Sequence, residues 1–151
     1  QPQEESEKVH GDPLADDYAK MRGASHQMRY VGARSEEMPF ADASFDIVTC
    51  FNALDHVDDL DATIVEIKRV TRPGGSFLVL VGINQAPTPI TPIALRRDVL
   101  DRFAPEFRVT SSRACRLPDR KRTSYDALDP CVAPSPGDAA LLVARLTRVE
   151  T

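Results

Sequence analysis

Polar side chains that could bind a ligand or move a proton follow the ends of three predicted strands. Asp12 follows one short strand, the segment 52–56 follows another, and Asn84 and Gln85 follow a third. Aspartate and amide side chains hydrogen-bond polar groups, and histidine, with an ordinary pKa of about 6.5, can act as a base. Ligands of open α/β sheets gather where the strands end. Polar residues at such strand ends are therefore candidates for ligand contacts.

A strand–helix–strand unit positions the middle of this site. The nearly continuous apolar run Phe45–Phe51 predicts a strand buried on both faces, as in a parallel sheet. Apolar residues at intervals of four and three over Leu60–Ile67 predict a one-faced helix, with acids at its start and cations at its end. We expect Pro73–Gly75 to end that helix and Ser76–Val81 to form a second buried strand. The crossover is expected to be right-handed.

Weaker patterns predict the flanking elements. Hydrophobic periodicity and the positions of proline and glycine divide the rest of the chain into short segments. The expected elements are a strand end at Val9–Asp12, a helix from an Asp12–Pro13 cap to about Gly23, a strand at Met28–Gly32, loops at Ala33–Phe40 and Gly82–Pro92, a helix at Ile93–Phe103, and strands at Phe107–Cys115 and Ala139–Leu146. This alternation is typical of an α/β domain.

Four segments in this order carry a resemblance to a known family. They are Ser35–Phe40, Asp42–Val48, Leu54–Val57 and Glu66–Gly75. Together they resemble the second half of a class I S-adenosylmethionine-dependent methyltransferase of the UbiE-like type. The resemblance implies a Rossmann-like α/β sheet with strand order 3-2-1-4-5-7-6, closed by an antiparallel pair. It also implies S-adenosyl-L-methionine as cofactor and methyl transfer to a small-molecule acceptor.

The resemblance further implies cofactor contacts after the strands predicted at Val9–Asp12 and Met28–Gly32. Asp12 matches the family's acidic residue at the tip of the second strand, where one carboxylate accepts hydrogen bonds from both ribose hydroxyls. A helix cap is the alternative role for this residue. The family's loop after the third strand meets the adenine, so Ser35 and Glu36 are expected contacts through backbone or side chain. Arg34 stands where the family has an acid.

In the implied fold, the loop after the central strand lies beside the reacting methyl group. Asn52 and Ala53 are therefore expected cofactor contacts, and His56 is the candidate catalytic base. The alternative is that His56 packs under the loop, because methyl transfer often requires positioning alone. Asn84 and Gln85 are candidate substrate-binding residues, since the segment after the next strand commonly borders the acceptor pocket in this family. A rigid surface loop is their alternative role.

The front of the implied domain has no counterpart in this sequence. The chain begins without an initiator methionine, and none of its seven glycines forms the G-x-G turn that follows a first strand. We expect residues 1–151 to be a single, N-terminally incomplete domain that lacks the first strand and first helix. Its open sheet would pair with the missing segment or in a homo-oligomer. The alternative function is a non-catalytic module that binds a partner protein through this edge or through the basic residues Arg116, Arg120, Lys121 and Arg122.

Composition argues against several classes of function. With 42% hydrophobic and 28% charged residues, the chain has the make-up of an ordinary globular domain and no apolar stretch long enough to cross a membrane. A net charge of −4 gives nucleic acid no general attraction. Cys50, Cys115 and Cys131 form no close pair in sequence. We therefore expect reduced thiols, no metal site and a cytoplasmic location.

Overall fold

The structure, a computed structural model, describes residues 7–22, 28–117, 124–128 and 130–150. In chain order its elements are β1 (Val9–Gly11), α1 (Ala15–Arg22), β2 (Arg29–Val31), β3 (Phe45–Phe51), α2 (Leu60–Val70), β4 (Thr71–Ile83), a 3₁₀ helix (Arg97–Phe103), β5 (Phe107–Arg116), a second 3₁₀ helix (Ser124–Ala127) and β6 (Ala140–Arg148). Strands β1 and β2 pair in parallel, and the other strands form a four-stranded sheet in the order β3-β4-β6-β5.

The predicted strand–helix–strand unit is present as β3, α2 and β4, with the two strands parallel. Asp59 caps α2, because its side chain accepts from the Ala62 N–H at 3.0 Å. Ile64 and Ile67 are buried on the side of α2 that meets the sheet. The spacing of apolar residues therefore identified the buried face of this helix correctly.

The prediction that Pro73–Gly75 ends α2 is wrong. The helix ends at Val70, and β4 begins at once with Thr71, whose N–H still closes the last helical turn. Pro73–Gly75 instead lies in a shift of register between β3 and β4. Glycine is required at the third position, because a Cβ on Gly75 would lie 2.8 Å from the carbonyl oxygen of Arg72.

The prediction that β3 is buried on both faces is also wrong. Val48 and Cys50 pack against the main core, whereas Ile47 and Phe51 on the other face are 59% and 47% exposed. The physical reason is that the core covers only the face of β3 that carries Val48 and Cys50. In addition, β3 is the edge strand of the four-stranded sheet and pairs with β4 alone among the described residues.

The sheet order agrees with the one implied by the resemblance. If β1 and β2 are strands 2 and 3 of the family order, then β3-β4-β6-β5 corresponds to 4-5-7-6, with β6 antiparallel to both neighbours. The α/β class and the methyltransferase-type sheet are thus confirmed. No pairing joins β1 to β3 within the described ranges. Strand 1 would lie between them in the family order, and its absence stays a prediction.

The helix predicted at Ile93–Phe103 is only partly correct. A 3₁₀ helix begins at Arg97, and its Phe103 stacks on Phe77 with ring centroids 5.0 Å apart in the main core. The residues before it are held by other loops, since the carbonyl of Leu95 accepts from the Asn84 N–H at 2.9 Å. These contacts replace the helical hydrogen bonds that the periodicity predicted.

The prediction of reduced thiols is wrong for two of the three cysteines. Cys115 and Cys131 form a disulfide across 16 positions, with their Cα atoms 5.1 Å apart. The fold brings the end of β5 against the segment before β6, which the distance in sequence did not reveal. Cys115 is buried beside Leu80 and Leu141, and Cys50 alone is a free thiol.

Candidate functional site

Hydrogen bonds join the loops at the carboxyl ends of the parallel strands. The loop after β1 meets the loop after β2 where the Ala33 N–H donates to the Asp12 carbonyl at 3.4 Å. The loop after β2 meets the segment before α2 where the Asp58 N–H donates to Glu36 Oε1 at 2.8 Å. Residues predicted from separate strand ends are therefore parts of one connected edge.

Asp12 lies directly after β1, and its side chain is 30% exposed. Its Oδ1 accepts from the Leu14 N–H at 2.7 Å, and its Oδ2 lies 3.8 Å from His10 Nε2. The helix α1 begins at Ala15, two residues later than predicted. The bond from the Leu14 N–H is nevertheless the one that a capping Asp12 would accept, and it closes an Asx turn just before the helix. The exposed part of this carboxylate can still accept hydrogen bonds from a ligand.

Ser35 and Glu36 direct their side chains toward α2. Glu36 Oε1 accepts from the Asp58 N–H, and Ser35 Oγ lies 3.1 Å from Thr63 Oγ1. Burial alone would raise the pKa of Glu36, but hydrogen bonds from backbone N–H groups and the charge of Arg34 lower it below its ordinary value. The ionised carboxylate fastens the loop to the start of α2. A ligand at this loop would therefore meet backbone groups first.

Arg34 also helps to hold the loop after β2 against the start of α2. Its guanidinium pairs with the Asp58 carboxylate, and its Nε lies 3.7 Å from Glu36 Oε2. The basic residue that replaces the family's acid thus has a partner inside the protein. It contributes to the position of the loop, and its side chain is 59% exposed.

A clamp that the sequence analysis missed holds the end of this loop. Arg69 donates to both carboxylate oxygens of Glu66, at 2.7 and 2.8 Å, and to the carbonyls of Met38 (2.9 Å) and Phe40 (2.6 Å). Arg69 also reaches Asp42 at 2.8 Å, and Glu66 accepts from the Met38 N–H at 2.6 Å. The available signal was the Glu-x-x-Arg spacing, which places both side chains on one side of α2. We call this pair the Glu66–Arg69 clamp.

The loop after β3 turns sharply at its first residue. Asn52 has a φ of 51°, a conformation that asparagine adopts more readily than most residues, and its N–H donates to the Leu80 carbonyl at 2.7 Å. Leu54 is fully buried and anchors the loop, while Asn52 and Ala53 are exposed. Both predicted contact residues are therefore accessible at the end of β3.

Asp55 is a polar residue of this loop that sequence reasoning did not propose. Its Oδ1 is buried without a hydrogen-bond partner in the part of the chain that the structure describes, and lies 3.7 Å from His56 Nε2. The side chain of Asp55 is 15% exposed, and that of His56 is 46% exposed. Burial, together with the Asp55 charge, raises the pKa of the Cys50 thiol to about 12.

Asn84 and Gln85 border a cavity of about 460 Å³ beyond the end of β4. Asn84, with a φ of 56°, joins its walls, because its Nδ2 donates to the Asp138 carbonyl at 3.1 Å and its N–H donates to Leu95. Gln85 folds over β4, where a Cβ on Gly82 would lie 2.0 Å from Gln85 Nε2. The remaining lining residues are Ala86, Ala94, Leu95, Arg96 and Gly137.

Other predicted features contribute less to this edge. Arg116 is exposed at the end of β5, while Arg120, Lys121 and Arg122 lie outside the described residues. Among the side chains that the structure describes, no group of histidine, cysteine, aspartate or glutamate could hold a metal ion. No helix in the described ranges is long and apolar enough to cross a membrane.

Residues 7–79 match the family model described as a methyltransferase domain. The chain is 41% identical over 73 residues to the ubiquinone/menaquinone biosynthesis C-methyltransferase UbiE of Idiomarina loihiensis, a match that covers 48% of this chain and 27% of that enzyme. It is 39% identical over 57 residues to a sterol 4-C-methyltransferase of Caenorhabditis elegans, covering 38% of this chain and 17% of that enzyme. The chain thus matches well under half the length of these relatives.

Solved structures of the same fold cover nearly the whole chain. The cyclase SpnF superposes with a TM-score of 0.69 at 18% identity, covering 96% of this chain and 67% of that one. A geranyl diphosphate methyltransferase in complex with SAM gives 0.67 at 14% identity, covering 95% and 69%. At such identities the likeness shows the fold alone. The sequence of residues 7–79 and the fold together confirm that the chain resembles class I S-adenosylmethionine-dependent methyltransferases of the UbiE-like type.

Proposed function

We propose that this chain is part of an enzyme that transfers a methyl group from S-adenosyl-L-methionine to a small-molecule acceptor. The observation that carries the proposal is the connected edge, where Asp12, the Ser35–Glu36 loop and the Asn52 loop all follow parallel strands. The similar proteins named as C-methyltransferases support the same reaction.

The side chains at this edge are suited to the cofactor. The exposed part of the Asp12 carboxylate can accept from the ribose hydroxyls, and the backbone of Ser35 and Glu36 can meet the adenine. Exposed Asn52 and Ala53 would hold the methionine end, near the unsatisfied carboxylate oxygen of the same loop. When bound, the cofactor supplies a methyl group already activated for transfer. The chain's own residues then have to hold the acceptor nucleophile in line with it.

His56 is the proposed base for an acceptor that must lose a proton. Its side chain is accessible, and the neighbouring Asp55 carboxylate, 3.7 Å away, can orient the imidazole. In this role, His56→Gln should lower kcat by about 10²–10⁴-fold with little change in the KM for the cofactor. A change in thermal stability with unaltered kcat would assign His56 to packing instead.

We propose in addition that residues 1–151 form one domain whose sheet is completed by a further parallel strand between β1 and β3. Exposed Ile47 and Phe51 and the free edge of β3 support this proposal. Among the described residues no strand pairs with that edge of β3, so a strand in this place would complete its hydrogen-bonded ladder and cover exposed apolar side chains. It would come from another segment of the native protein or from a second copy.

Isothermal titration calorimetry of the full-length native protein with S-adenosylhomocysteine tests the cofactor proposal. We expect saturable binding, and much weaker binding of ATP, which shares the adenosine but lacks the amino-acid end. Absence of both heat and a thermal shift at millimolar S-adenosylhomocysteine would contradict the proposal.

A second candidate function is a non-catalytic module that binds a partner protein. The observation that favours it is the exposure of the apolar Ile47 and Phe51 at an unpaired strand edge. Size-exclusion chromatography with light scattering, combined with S-adenosylhomocysteine titration of each species that elutes, separates the two functions, because an enzyme binds the ligand whether it is a monomer or a dimer. A module that borrows a strand should elute as a defined dimer or complex, whereas a species that binds S-adenosylhomocysteine supports the enzyme.

The proposed compartment is the cytoplasm, which rests on composition. The Cys115–Cys131 disulfide argues the other way, because such bonds persist mainly in oxidising compartments. Alkylation of the protein as isolated from its source, carried out in denaturant so that the buried Cys50 thiol reacts, followed by mass spectrometry, decides between them. Three alkylated cysteines support the cytoplasm, and alkylation of Cys50 alone would contradict it.

A further inference from the structure

We infer that the cavity beside Asn84 receives the acceptor and that Arg96 selects acceptors that carry an oxyanion, a carboxylate or a phosphate. The inference rests on the proposed function and names the substrate class of that site. The cavity, at about 460 Å³, is within the range of about 300–1,000 Å³ that is usual for small-molecule sites.

The walls of the cavity are held in fixed positions by Asn84. Its backbone N–H bonds the segment before the first 3₁₀ helix at Leu95, and its side chain bonds the segment before β6 at Asp138. A residue with a positive φ is kept in place here by two hydrogen bonds from different parts of the chain. The cavity is therefore built from the ends of three segments and not from a single surface loop.

Arg96 is the charged residue among those that line the cavity, and no charged partner for it lies among the described residues. Within the described residues, it makes no ion pair or hydrogen bond through its side chain. Its neighbour differs, since Arg97 donates to Ser112 Oγ at 2.7 Å. Asp138 contributes its carbonyl to Asn84 and does not line the cavity. A guanidinium without a counter-charge is suited to bind a carboxylate or phosphate through two parallel hydrogen bonds.

The rest of the lining suits the body of a small organic acid. Ala86, Ala94 and Leu95 supply apolar surface, and Gln85 supplies an amide. A ligand with an apolar body and one acidic group would therefore contact every kind of group that the cavity offers.

The chain segment that carries Arg96 also contacts the loop after β3. The Ile93 N–H donates to the Asp55 carbonyl at 3.4 Å, and Arg96 follows three residues later. A segment of that length spans at most about 10 Å. An acceptor whose reactive atom lies at the Asp55–His56 loop could therefore place its oxyanion near Arg96 without being a long molecule.

Ligand-observed NMR on the full-length native protein, with S-adenosylhomocysteine present, tests the inference. The probes are benzoate and phenyl phosphate, with benzamide as the neutral isostere of benzoate. We expect at least one anion to bind tenfold or more tightly than benzamide. We expect Arg96→Gln to lose that preference, and the control Arg97→Gln to keep it. The relative affinity of the two anions distinguishes a carboxylate site from a phosphate site.

Three results would overturn the inference: no binding of either anion, equal binding of benzoate and benzamide together with no preference for phenyl phosphate, or an equal loss in Arg96→Gln and Arg97→Gln. Calorimetry with S-adenosylhomocysteine on the same samples separates this failure from failure of the proposed function. Cofactor binding without an Arg96-dependent preference refutes the acceptor class alone. An Arg96-dependent preference without cofactor binding supports the anion site and refutes the methyltransferase.

Discussion

Replacing Arg69 with alanine should remove the hydrogen bonds that hold the end of the loop after β2 on α2. Glu66, 14% exposed, would keep the Met38 N–H as a donor, and the carbonyls of Met38 and Phe40 would lose theirs. Breaking a buried ion pair costs about 3–5 kcal/mol. Because Arg69 is 28% exposed and water can replace part of the loss, we expect about 2–4 kcal/mol of destabilisation.

Urea unfolding and the thermal midpoint measure this effect, with a fall of about 2–4 °C expected for each kcal/mol. The matched control is Arg72→Ala, since Arg72 pairs with Asp46 in an exposed contact, at 58% and 71% exposure. The control should cost at most about 1 kcal/mol. A double-mutant cycle with Glu66→Ala should give a coupling energy of about 1–3 kcal/mol. If Arg69→Ala costs no more than Arg72→Ala, the reasoning about the clamp is refuted.

Three further outcomes are expected. Asp12→Ala should weaken S-adenosylhomocysteine binding by about 2–4 kcal/mol in calorimetry, whereas wild-type affinity in Asp12→Asn would move the ribose site elsewhere. Reduction of Cys115–Cys131 should lower the free energy of unfolding by about 3 kcal/mol, and the variant with alanine at both positions should be insensitive to reductant. The pKa of Glu36 and of Glu66 is depressed in the folded protein, so their stabilisation should be complete above the ordinary glutamate pKa of about 4.3 and lost as pH falls through the folded values. Urea titrations from neutral to acidic pH measure that loss, and Glu66→Gln should reduce it.

Local patterns in the sequence were sufficient for the centre of the fold. The β3–α2–β4 unit follows from an apolar run, a helical repeat and a capping aspartate, all of which act over a few residues. The same patterns could not reveal that β3 is an edge strand, because burial of Ile47 and Phe51 depends on elements far along the chain. Two-sided burial was an assumption about neighbours that apolar residues alone cannot test.

The candidate site shows the same division. The positions of Asn52 and Asn84 at strand ends were predictable because each polar residue follows an apolar run, whereas Asp12 was proposed from the resemblance. The Glu66–Arg69 clamp and the unsatisfied Asp55 were not predictable, because both depend on how separate loops meet. Predicting the Cys115–Cys131 disulfide would likewise have required knowing that β5 lies against the segment before β6.

Backbone amide NMR during titration with S-adenosylhomocysteine tests most directly whether the carboxyl ends of the parallel strands bind the cofactor. We predict that shifts concentrate at Asp12, Ser35, Glu36 and Asn52 and spare Thr147. Thr147 lines a cavity of about 430 Å³ at the other end of β4 and β6 and is the internal reference. Shifts centred on that cavity, or none at the four residues under saturating ligand, would contradict the proposed cofactor site.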